Sequence, residues 1–282
     1  MKIRVVSLHV YPVKSLRGVA LERAVLEPSG LAGDRQWMVV RADGRFQTQR
    51  NLPRMALIRT RLKPDGLELS LPGEGHVQLS DGVDSGRSIQ TDVWGDPCET
   101  IDAGEAAAAW LTAVLQSRSE LRLVRMADSY VRPQRHPDRF GAETSTVFAD
   151  TAPFLVANQA SLERLNQALR EQGHTAVSMD RFRPNVVIDG LAAFAEHGVE
   201  TLAGDGFALQ LRYPRERCVV TTIDQATAVR DPQGEPVRTL TTINPMPGNP
   251  RAAAFAELAV LARGGGRTIR VGDELQVEGT RA

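Results

Sequence analysis

One cysteine of the chain is preceded by two arginines. Cys218 follows Arg215 and Arg217 and comes before the run 219–223, which is rich in β-branched residues and predicts a strand. Positive charge close to a thiol favours the thiolate, the form that attacks electrophiles and binds metals. A free cysteine is also often only a small buried apolar group. The segment therefore predicts either a reactive or metal-binding thiol or a structural one.

Three further segments place polar side chains in turns next to predicted strands. They are 11–18 with Lys14 and Ser15, 30–37 with Arg35, and 182–188 with Arg183 and Asn185. In the first of them a proline ends the strand, so the following cation and hydroxyl lie in the turn. These side chains are candidate binding groups, and each also has an ordinary reading as a turn or strand-end residue.

Several common catalytic and metal-binding patterns are missing from the sequence. Two cysteines, Cys98 and Cys218, cannot make a four-thiolate zinc site or hold an iron–sulfur cluster. We expect no disulfide between them in a reducing compartment. The five histidines never show the His-Glu-x-x-His spacing, and no Gly-x-Ser-x-Gly elbow occurs. The glycines at 264–266 lack the following Lys-Ser/Thr of a phosphate loop.

The composition is that of an ordinary globular protein. The chain has 282 residues, of which 42% are hydrophobic and 24% are charged, so we expect about two domains and no extensive disorder. Its 34 basic and 34 acidic residues cancel, so no bulk field favours nucleic acid. No apolar run approaches the roughly 18 residues of a membrane span, and the start is too short in apolar residues for a signal peptide. We therefore predict no membrane span and a cytoplasmic location.

Short strands dominate the predicted secondary structure. In the first part of the chain they are 3–10, 19–26, 37–41, 56–62, 67–71, 77–79 and 89–93, and in the last part 186–188, 207–211, 219–223, 254–261, 268–271 and 275–277. Turn pairs such as Asp43-Gly44 separate them. The sequence thus predicts a mainly β fold with a few helices, in the α+β class.

Two helices are predicted between these groups of strands. The first has Asp102 as its cap and Glu105 three residues on. The second begins near Asn158, and leucines at 162, 165 and 169 predict its buried face. The stretch 126–153 between the helices is irregular. We place a domain boundary just before it, which gives domains 1–124 and 125–282.

Taken together, the four polar segments resemble the MOSC family, named after the molybdenum-cofactor sulfurase C-terminal domain, with its N-terminal β-barrel companion. The similarity extends from the Lys14-Ser15 turn to the segment 269–273 and includes Trp94-Gly95-Asp96 and the helix start at 160–162. The chain is most similar to the amidoxime-reducing branch of the family and its bacterial N-hydroxylated-base reductases. A single short motif of this kind would mean little, but several in the right order are specific.

The resemblance implies a molybdenum cofactor, molybdenum held by a molybdopterin, bound between the two domains. It makes Cys218 the metal ligand and the catalytic position, and thiolates are suitable soft ligands. The implied phosphate and pterin contacts are Lys14, Ser15, Arg35, Thr151, Arg183 and Asn185. Arginine forks and hydroxyls suit a phosphate.

The chain departs from the family pattern at three positions that bear on this site. Ala152 stands where animal members have serine, and Glu216 stands where they have serine two residues before the cysteine. Because a glutamate would repel a phosphate, we expect the Glu216 side chain to point away. Leu258 stands where relatives often have asparagine or tyrosine. We expect Arg132, Arg135 and Arg139 to belong to a solvated loop rather than to the site entrance.

The function implied by the resemblance is the reduction of small N-hydroxylated substrates, such as hydroxylamines, amidoximes and N-hydroxylated bases. Some bacterial members carry a ferredoxin domain, and we expect none in this protein. Electrons are therefore expected from a separate donor protein of ferredoxin-like or cytochrome type. Two alternatives stay open: a sulfur carrier with a persulfide on Cys218, and a non-catalytic protein that binds or stores the cofactor. Cys98 is expected to be structural.

Overall fold

The computed structural model of the chain describes residues 2–80 and 86–281. In these ranges the strands are β1 (Ile3–Val10), β2 (Val19–Leu21), β3 (Arg23–Glu27), β4 (Gly30–Leu31), β5 (Trp37–Arg41), β6 (Arg59–Lys63), β7 (Gly66–Ser70), β8 (His76–Ser80), β9 (Ser88–Val93), β10 (Asp96–Asp102), β11 (Leu121–Met126), β12 (Phe154–Asn158), β13 (Val186–Asp189), β14 (Val199–Gly204), β15 (Phe207–Glu216), β16 (Pro245–Met246), β17 (Asn249–Arg263), β18 (Thr268–Arg270) and β19 (Glu274–Thr280). The helices are α1 (Glu105–Val114), α2 (Pro137–Phe140), α3 (Gln159–Glu171) and α4 (Val237–Ile243). The predicted fold class, mainly β with a few helices, is confirmed.

The largest sheet closes into a barrel. Its strands follow the order β12-β13-β1-β19-β14-β15-β17, and β17 pairs back onto β12. Side chains alternate on either side of a register shift between Val5 and Ser7 in β1, so that first Ile3 and Val5 and then Leu8 and Val10 face the buried core. The first strand of the chain thus shares a barrel with β19, near the end of the described residues. The division into domains 1–124 and 125–282 stays a prediction, and its outermost residues, 1 and 282, lie outside the described ranges.

Residues 36–126 form two smaller sheets and a helix. Strands β5, β11, β10 and β9 form one sheet, and β6, β7 and β8 form another. Helix α1 packs its buried face, with Ala107, Leu111 and Val114, into the core that these strands share. No helix within residues 2–80 and 86–281 combines the length and the apolar character needed to cross a bilayer.

Helix α3 begins where the sequence predicts it. The Asn158 side-chain oxygen accepts a hydrogen bond from the backbone N–H of Ala160 at 3.3 Å and caps the first turn. Leu162, Leu165 and Leu169 are buried in a core that they share with residues of α4 and β17, because residues three and four apart share one helix face.

The predicted strand 219–223 is wrong, and this segment is instead a short 3-10 helix, Val219–Thr222. The hydroxyl of Thr221 donates to the Cys218 carbonyl at 2.8 Å, and that of Thr222 donates to the Val219 carbonyl at 2.7 Å. These local hydrogen bonds satisfy the turn and override the strand preference of β-branched residues. Cys218 therefore precedes a tight turn rather than a strand.

The predicted cap of the first helix is also wrong. Gly104 occupies the cap position of α1, while Asp102 ends β10 and is fully buried. The Asp102 carboxylate accepts from the Gly104 N–H at 3.1 Å and forms an ion pair with Arg122. The Asp102 carboxylate, which local sequence predicts to cap the helix, thus takes part in a tertiary ion pair instead.

Three smaller differences concern strand boundaries. The predicted strand 56–62 starts only at Arg59, because Pro53–Leu57 forms a 3-10 helix with proline in its first turn. The predicted strand 19–26 is divided into β2 and β3 at Glu22. Sequence analysis missed six strands and one helix, namely β4, β10, β11, β12, β14, β16 and α4, and the irregular stretch 126–153 contains the short helix α2.

Candidate functional site

All seven predicted site residues line one cavity. They are Lys14, Ser15, Arg35, Thr151, Arg183, Asn185 and Cys218. The cavity has a volume of about 110 Å³ and opens to solvent. Segments that are up to two hundred residues apart in sequence therefore meet at one place.

The loop after β1 and the loop before β5 are hydrogen-bonded to each other. The backbone N–H of Lys14 donates to the Trp37 carbonyl at 2.8 Å, and the N–H of Arg35 donates to the Tyr11 carbonyl at 2.9 Å. These bonds extend strand-like pairing beyond the ends of the strands. They hold Lys14, Ser15 and Arg35 at the cavity wall.

Three of the seven residues have a left-handed backbone. The φ angle is 65° at Ser15, 48° at Arg35 and 58° at Arg183. Residues other than glycine seldom adopt this conformation, which costs on the order of 1–3 kcal/mol each and tends to occur at binding and catalytic sites. The loops thus accept backbone strain in order to direct these side chains.

Cys218 is half-buried, and its sulfur touches an arginine from the other part of the chain. The Nη2 of Arg50 lies 3.3 Å from the Cys218 Sγ and donates to it. Arg50 also lines the cavity. Sequence analysis missed it, because 168 residues separate the pair and the loop around Arg50 carries no distinctive pattern. The cation that donates a hydrogen bond to the sulfur is thus Arg50 and not one of the two arginines before Cys218.

Cys98 occupies a quite different environment. It is fully buried in β10, among apolar side chains that include Met38 and Val93. Burial raises the pKa of the Cys98 thiol to about 11, so the protonated form predominates at neutral pH. Cys98 does not line the cavity that holds Cys218.

Asp150, which sequence analysis missed, pairs with two cations of the cavity. Its carboxylate forms an ion pair with Lys14 and lies 3.2 Å from the Nη2 of Arg215. The Nη1 of Arg215 donates to the hydroxyl of the neighbouring Thr151 at 2.8 Å. Burial alone would raise the pKa of Asp150, but the charges of Lys14 and Arg215 bring it well below its ordinary range. Burial also lowers the pKa of Lys14.

A second cluster orients Arg35. Its guanidinium forms an ion pair with the buried Asp34 and donates to the Asn185 side-chain oxygen at 3.1 Å. The guanidinium carbons of Arg35 and Arg183 lie 4.5 Å and 4.1 Å from the centre of the Tyr11 ring. Cation–π contacts of this kind hold arginines while leaving their N–H groups free to donate.

Three cavity arginines have no carboxylate partner. Within residues 2–80 and 86–281, no ion pair joins Arg50, Arg183 or Arg217 to an acidic side chain. Burial, and secondarily the charge of Arg215, lowers the pKa of Arg217 to about 9. Burial likewise lowers the pKa of Arg183 to about 10. Both guanidinium groups nevertheless stay charged at neutral pH.

Positive charge therefore exceeds negative charge at this cavity. Its six cationic lining residues are Lys14, Arg35, Arg50, Arg183, Arg215 and Arg217. Against them stand three carboxylates, Asp150 and Glu216 in the wall and Asp34 paired with Arg35. Six cations minus three anions leave a surplus of three positive charges. A buried surplus of cations is costly unless an anion compensates it.

These donors fit a phosphate-bearing cofactor whose metal brings ligands of its own. Guanidinium and hydroxyl groups suit phosphate, and the Cys218 thiol suits a soft metal. Among the described residues, no group of three His, Cys, Asp or Glu side chains is placed to hold a metal ion. A metal bound at Cys218 therefore needs further ligands from the molecule that carries it.

The three departures from the family pattern all lie at this cavity. Ala152 is buried in its wall, and Leu258 also lines it. Glu216 lines the cavity as well and is exposed to solvent. The expected orientation of the Glu216 side chain away from the site stays a prediction.

The arginines of the stretch 126–153 do not line the cavity. Arg132 is buried, is paired with Asp96 at 2.8 Å and donates to the Ala149 carbonyl at 2.7 Å. The expectation that Arg132 belongs to a solvated loop is therefore wrong, because this ion pair ties the loop to the hairpin of β9 and β10. The exposed Arg139 lies 3.7 Å from the centre of the Tyr213 ring.

Two family comparisons agree with this architecture. Residues 2–118 match the MOSC N-terminal beta barrel domain, and residues 143–276 match the MOSC domain. The chain therefore belongs to the MOSC domain family. The resemblance that its polar segments indicate is confirmed.

Curated relatives narrow the comparison within this family. Mitochondrial amidoxime-reducing component 1 of Homo sapiens is 32% identical over 288 residues, which cover 98% of this chain and 83% of that protein. Mitochondrial amidoxime reducing component 2 of Bos taurus is 29% identical over 83% of this chain and 70% of that protein. Molybdenum cofactor sulfurase of Drosophila melanogaster is 31% identical over 86% of this chain, which spans 30% of that protein. The chain thus has homologues of two kinds and spans most of the first kind.

Proposed function

We propose that this protein binds a molybdenum cofactor in the cation-lined cavity and reduces N-hydroxylated compounds. The observation that carries the proposal is the position of Cys218, a half-buried thiol in contact with Arg50 in a cavity with a surplus of three positive charges. A phosphate-bearing metal cofactor would use both features at once. Relatives named as amidoxime-reducing components, over 98% of the chain, support the reaction class.

In this proposal each lining residue has a separate task. Cys218 ligates the metal, and Lys14, Ser15, Arg35, Thr151, Arg183 and Asn185 bind the phosphate and the pterin. When bound, the cofactor supplies the two-electron chemistry that reduction of an N–O bond requires. The protein supplies binding, orientation and charge.

The electrostatics also limit which side chain can deliver a proton. Cleavage of the N–O bond of R–NH–OH consumes two electrons and two protons and releases R–NH₂ and water. Asp150 is held as a carboxylate by Lys14 and Arg215, since their charges lower its pKa. It is therefore an acceptor that orients these two cations and not the general acid.

Electrons come from a separate protein in this proposal. Cys98 is buried in a core and Cys218 is half-buried at the cavity. Among the described residues, neither cysteine belongs to a cluster of metal ligands. A ferredoxin-like or cytochrome-type donor would supply them. The predicted cytoplasmic location belongs to the same proposal, because that compartment keeps thiols reduced.

Metal and pterin content per chain is the first test. The wild type, Cys218→Ser and the matched control Cys98→Ala are purified from a host that makes the cofactor. We expect near one molybdenum and one pterin in the wild type and the control, and loss of molybdenum or a changed metal spectrum in Cys218→Ser. Absence of both molybdenum and pterin from the wild type would overturn cofactor binding.

Turnover is the second test. The metal-loaded wild type is given reduced viologen with hydroxylamine or benzamidoxime, and we expect ammonia or benzamidine as products. A fully loaded protein that leaves both substrates untouched would refute the reductase proposal and favour a binding or storage role.

One observation favours a second candidate, sulfur transfer through a persulfide on Cys218. Relatives named molybdenum cofactor sulfurase match 86% of the chain, and the thiol is half-buried rather than enclosed. Metal-free protein is treated with a persulfide, which can transfer its outer sulfur to Cys218 and leave as a thiol, and is then analysed by mass spectrometry. A mass gain of one sulfur on Cys218 supports transfer, whereas an unmodified Cys218 counts against it.

A further inference from the structure

The turn between β9 and β10 contains a residue that its backbone geometry does not explain. Val93 pairs with Asp96, so Trp94 and Gly95 form a two-residue hairpin loop. Both have positive φ, 59° at Trp94 and 88° at Gly95. Such loops favour asparagine, aspartate or glycine at the first position, because a side chain with a Cβ is strained there. The reason for tryptophan must therefore lie in its side chain.

The indole ring contacts two residues of the cavity wall, although Trp94 itself is not one of the lining residues. The Arg50 guanidinium carbon is 4.7 Å from the ring centre, and the indole Nε1 donates to the Asp150 carboxylate at 3.0 Å. Arg50 and Asp150 both line the cavity, and Arg50 contacts the Cys218 sulfur. Only one side chain therefore separates the ring from the candidate metal ligand.

The ring is nevertheless not covered by the protein. Trp94 is 39% exposed, although Phe46 meets it edge-on at 5.0 Å between ring centres. A ring whose task was only to hold Arg50 would gain free energy from being buried, since apolar area removed from water is stabilising. Strain in the turn and exposure of the ring are two separate costs that a contact with a ligand would offset.

We propose that Trp94 is a specificity-determining residue that stacks on the planar aromatic or heteroaromatic part of the N-hydroxylated substrate. The inference rests on the proposed function, because it assigns a preferred substrate class to the same site. An indole face attracts flat π systems of every kind, whereas a small aliphatic group gains little from it. The protein should therefore favour aromatic amidoximes and N-hydroxylated bases over aliphatic compounds with the same N–OH group.

Two amidoximes that differ in one substituent provide the test. Benzamidoxime carries a phenyl group where acetamidoxime carries a methyl group, and both are reduced at the same kind of N–O bond. We measure kcat and KM of the cofactor-loaded protein for both. Trp94→Ala should lower the preference for benzamidoxime in kcat/KM about tenfold, which corresponds to about 1.4 kcal/mol. The loss should appear in KM for benzamidoxime.

Two variants separate stacking from a structural role. Trp94→Phe keeps an aromatic face but loses the hydrogen bond to Asp150, so it should retain most of the aromatic preference. Trp110→Phe changes a half-buried tryptophan on α1 whose indole donates to the Glu74 carbonyl at 3.2 Å and not to a residue of the cavity wall, so the preference should match the wild type. A preference that is unchanged in Trp94→Ala would overturn the inference and leave the proposed function intact.

A binding measurement decides the inference without turnover. Benzamidoxime is titrated into the purified protein without reductant while tryptophan fluorescence is recorded. We expect saturable quenching by benzamidoxime and none by acetamidoxime, with the quenching lost in Trp94→Phe and kept in Trp110→Phe. Quenching that persists in Trp94→Phe would overturn the inference. Should neither amidoxime be reduced, the reductase proposal fails, and this titration still decides whether Trp94 binds an aromatic ligand.

Discussion

Two clusters of buried polar side chains in this protein handle charge in opposite ways. In the first, which we call the glutamate network, Glu196 accepts from the Ser161 hydroxyl at 2.7 Å and from the Asn158 amide at 3.2 Å. The second carboxylate of the network, that of Glu257, lies 2.6 Å from the His197 Nδ1 and 2.8 Å from the Arg281 Nη2. Both glutamates are fully buried and have donors from several elements.

The cavity cluster has the reverse composition. Three of its arginines have no acidic partner within the described ranges, and positive charges exceed negative ones by three. A buried polar group stabilises the fold when it is satisfied and costs free energy when it is not. The glutamate network is therefore complete without a ligand. The cavity cluster becomes complete only when an anion arrives, which distinguishes a binding site from a structural core.

The largest expected effect comes from making the cavity imbalance worse. Asp150→Asn removes the carboxylate that pairs with Lys14 and Arg215, so that the buried Lys14 and the half-buried Arg215 lose their ion pairs. We expect the free energy of unfolding in urea to fall by about 3–5 kcal/mol. The matched control is Asp128→Asn, an exposed partner of Arg125, which should cost less than about 1 kcal/mol. Equal losses of unfolding free energy in Asp150→Asn and Asp128→Asn would contradict the view that the cavity depends on this carboxylate.

An added anion should have the next largest effect. Pyrophosphate at about 100 times its Kd should raise the free energy of unfolding of the cofactor-free protein by about 2.7 kcal/mol. Arg183→Gln should weaken this stabilisation, because it removes one unpaired guanidinium from the wall. Sodium chloride at the same ionic strength is the control. A response to pyrophosphate no greater than that to chloride would mean that the surplus does not form an anion site.

Damage to the glutamate network should affect stability and nothing else. Ser161 donates to Glu196 and accepts from the Phe194 N–H at 2.8 Å, so Ser161→Ala leaves buried groups unsatisfied. We expect a loss of about 1–3 kcal/mol in the free energy of unfolding. The Kd for pyrophosphate, measured by calorimetry, should equal that of the wild type. A weaker pyrophosphate affinity would show that the two clusters are coupled.

The smallest effect is a change in pH dependence. Burial raises the pKa of Glu196 above 4.5, its ordinary value, so the folded state holds this proton more tightly than the unfolded state. The stability that this proton contributes is present below pH 4.5 and is lost as the pH rises through the raised pKa. Glu196→Gln should remove this decline, which urea unfolding at several pH values would detect. A wild-type stability that rises relative to the variant over this window would reverse the expected sign.

The sequence allowed much of the cavity wall to be predicted. Local sequence shows polar side chains in turns beside apolar strands, as at Lys14, Ser15, Arg35, Arg183 and Asn185. The helix capped by Asn158 was predictable for the same reason. The prediction of a strand at 219–223 was wrong, because two threonine hydroxyls bond to backbone carbonyls three residues earlier and stabilise a turn.

Other parts of the site could not be predicted from local sequence. Arg50 reaches the Cys218 sulfur across 168 residues, and the loop that carries it has no pattern of its own. Asp150 matters because Lys14 and Arg215 converge on it, and their convergence depends on how β1 and β15 join the same barrel. Asp102 was assigned to a helix cap, although a distant arginine had recruited it.

Residue order by itself determined the mainly β fold class and the buried face of α3, and the resemblance to the MOSC family implied which residues bind a phosphate or a metal. The fold class and the helix face follow from side-chain periodicity and turn chemistry, which act over a few neighbouring residues. Only the tertiary structure decided that the cations meet in one cavity, that they outnumber the carboxylates, and that Trp94 stays exposed beside Cys218. Charge balance and burial are properties of residues brought together by barrel closure, so no single segment contains them.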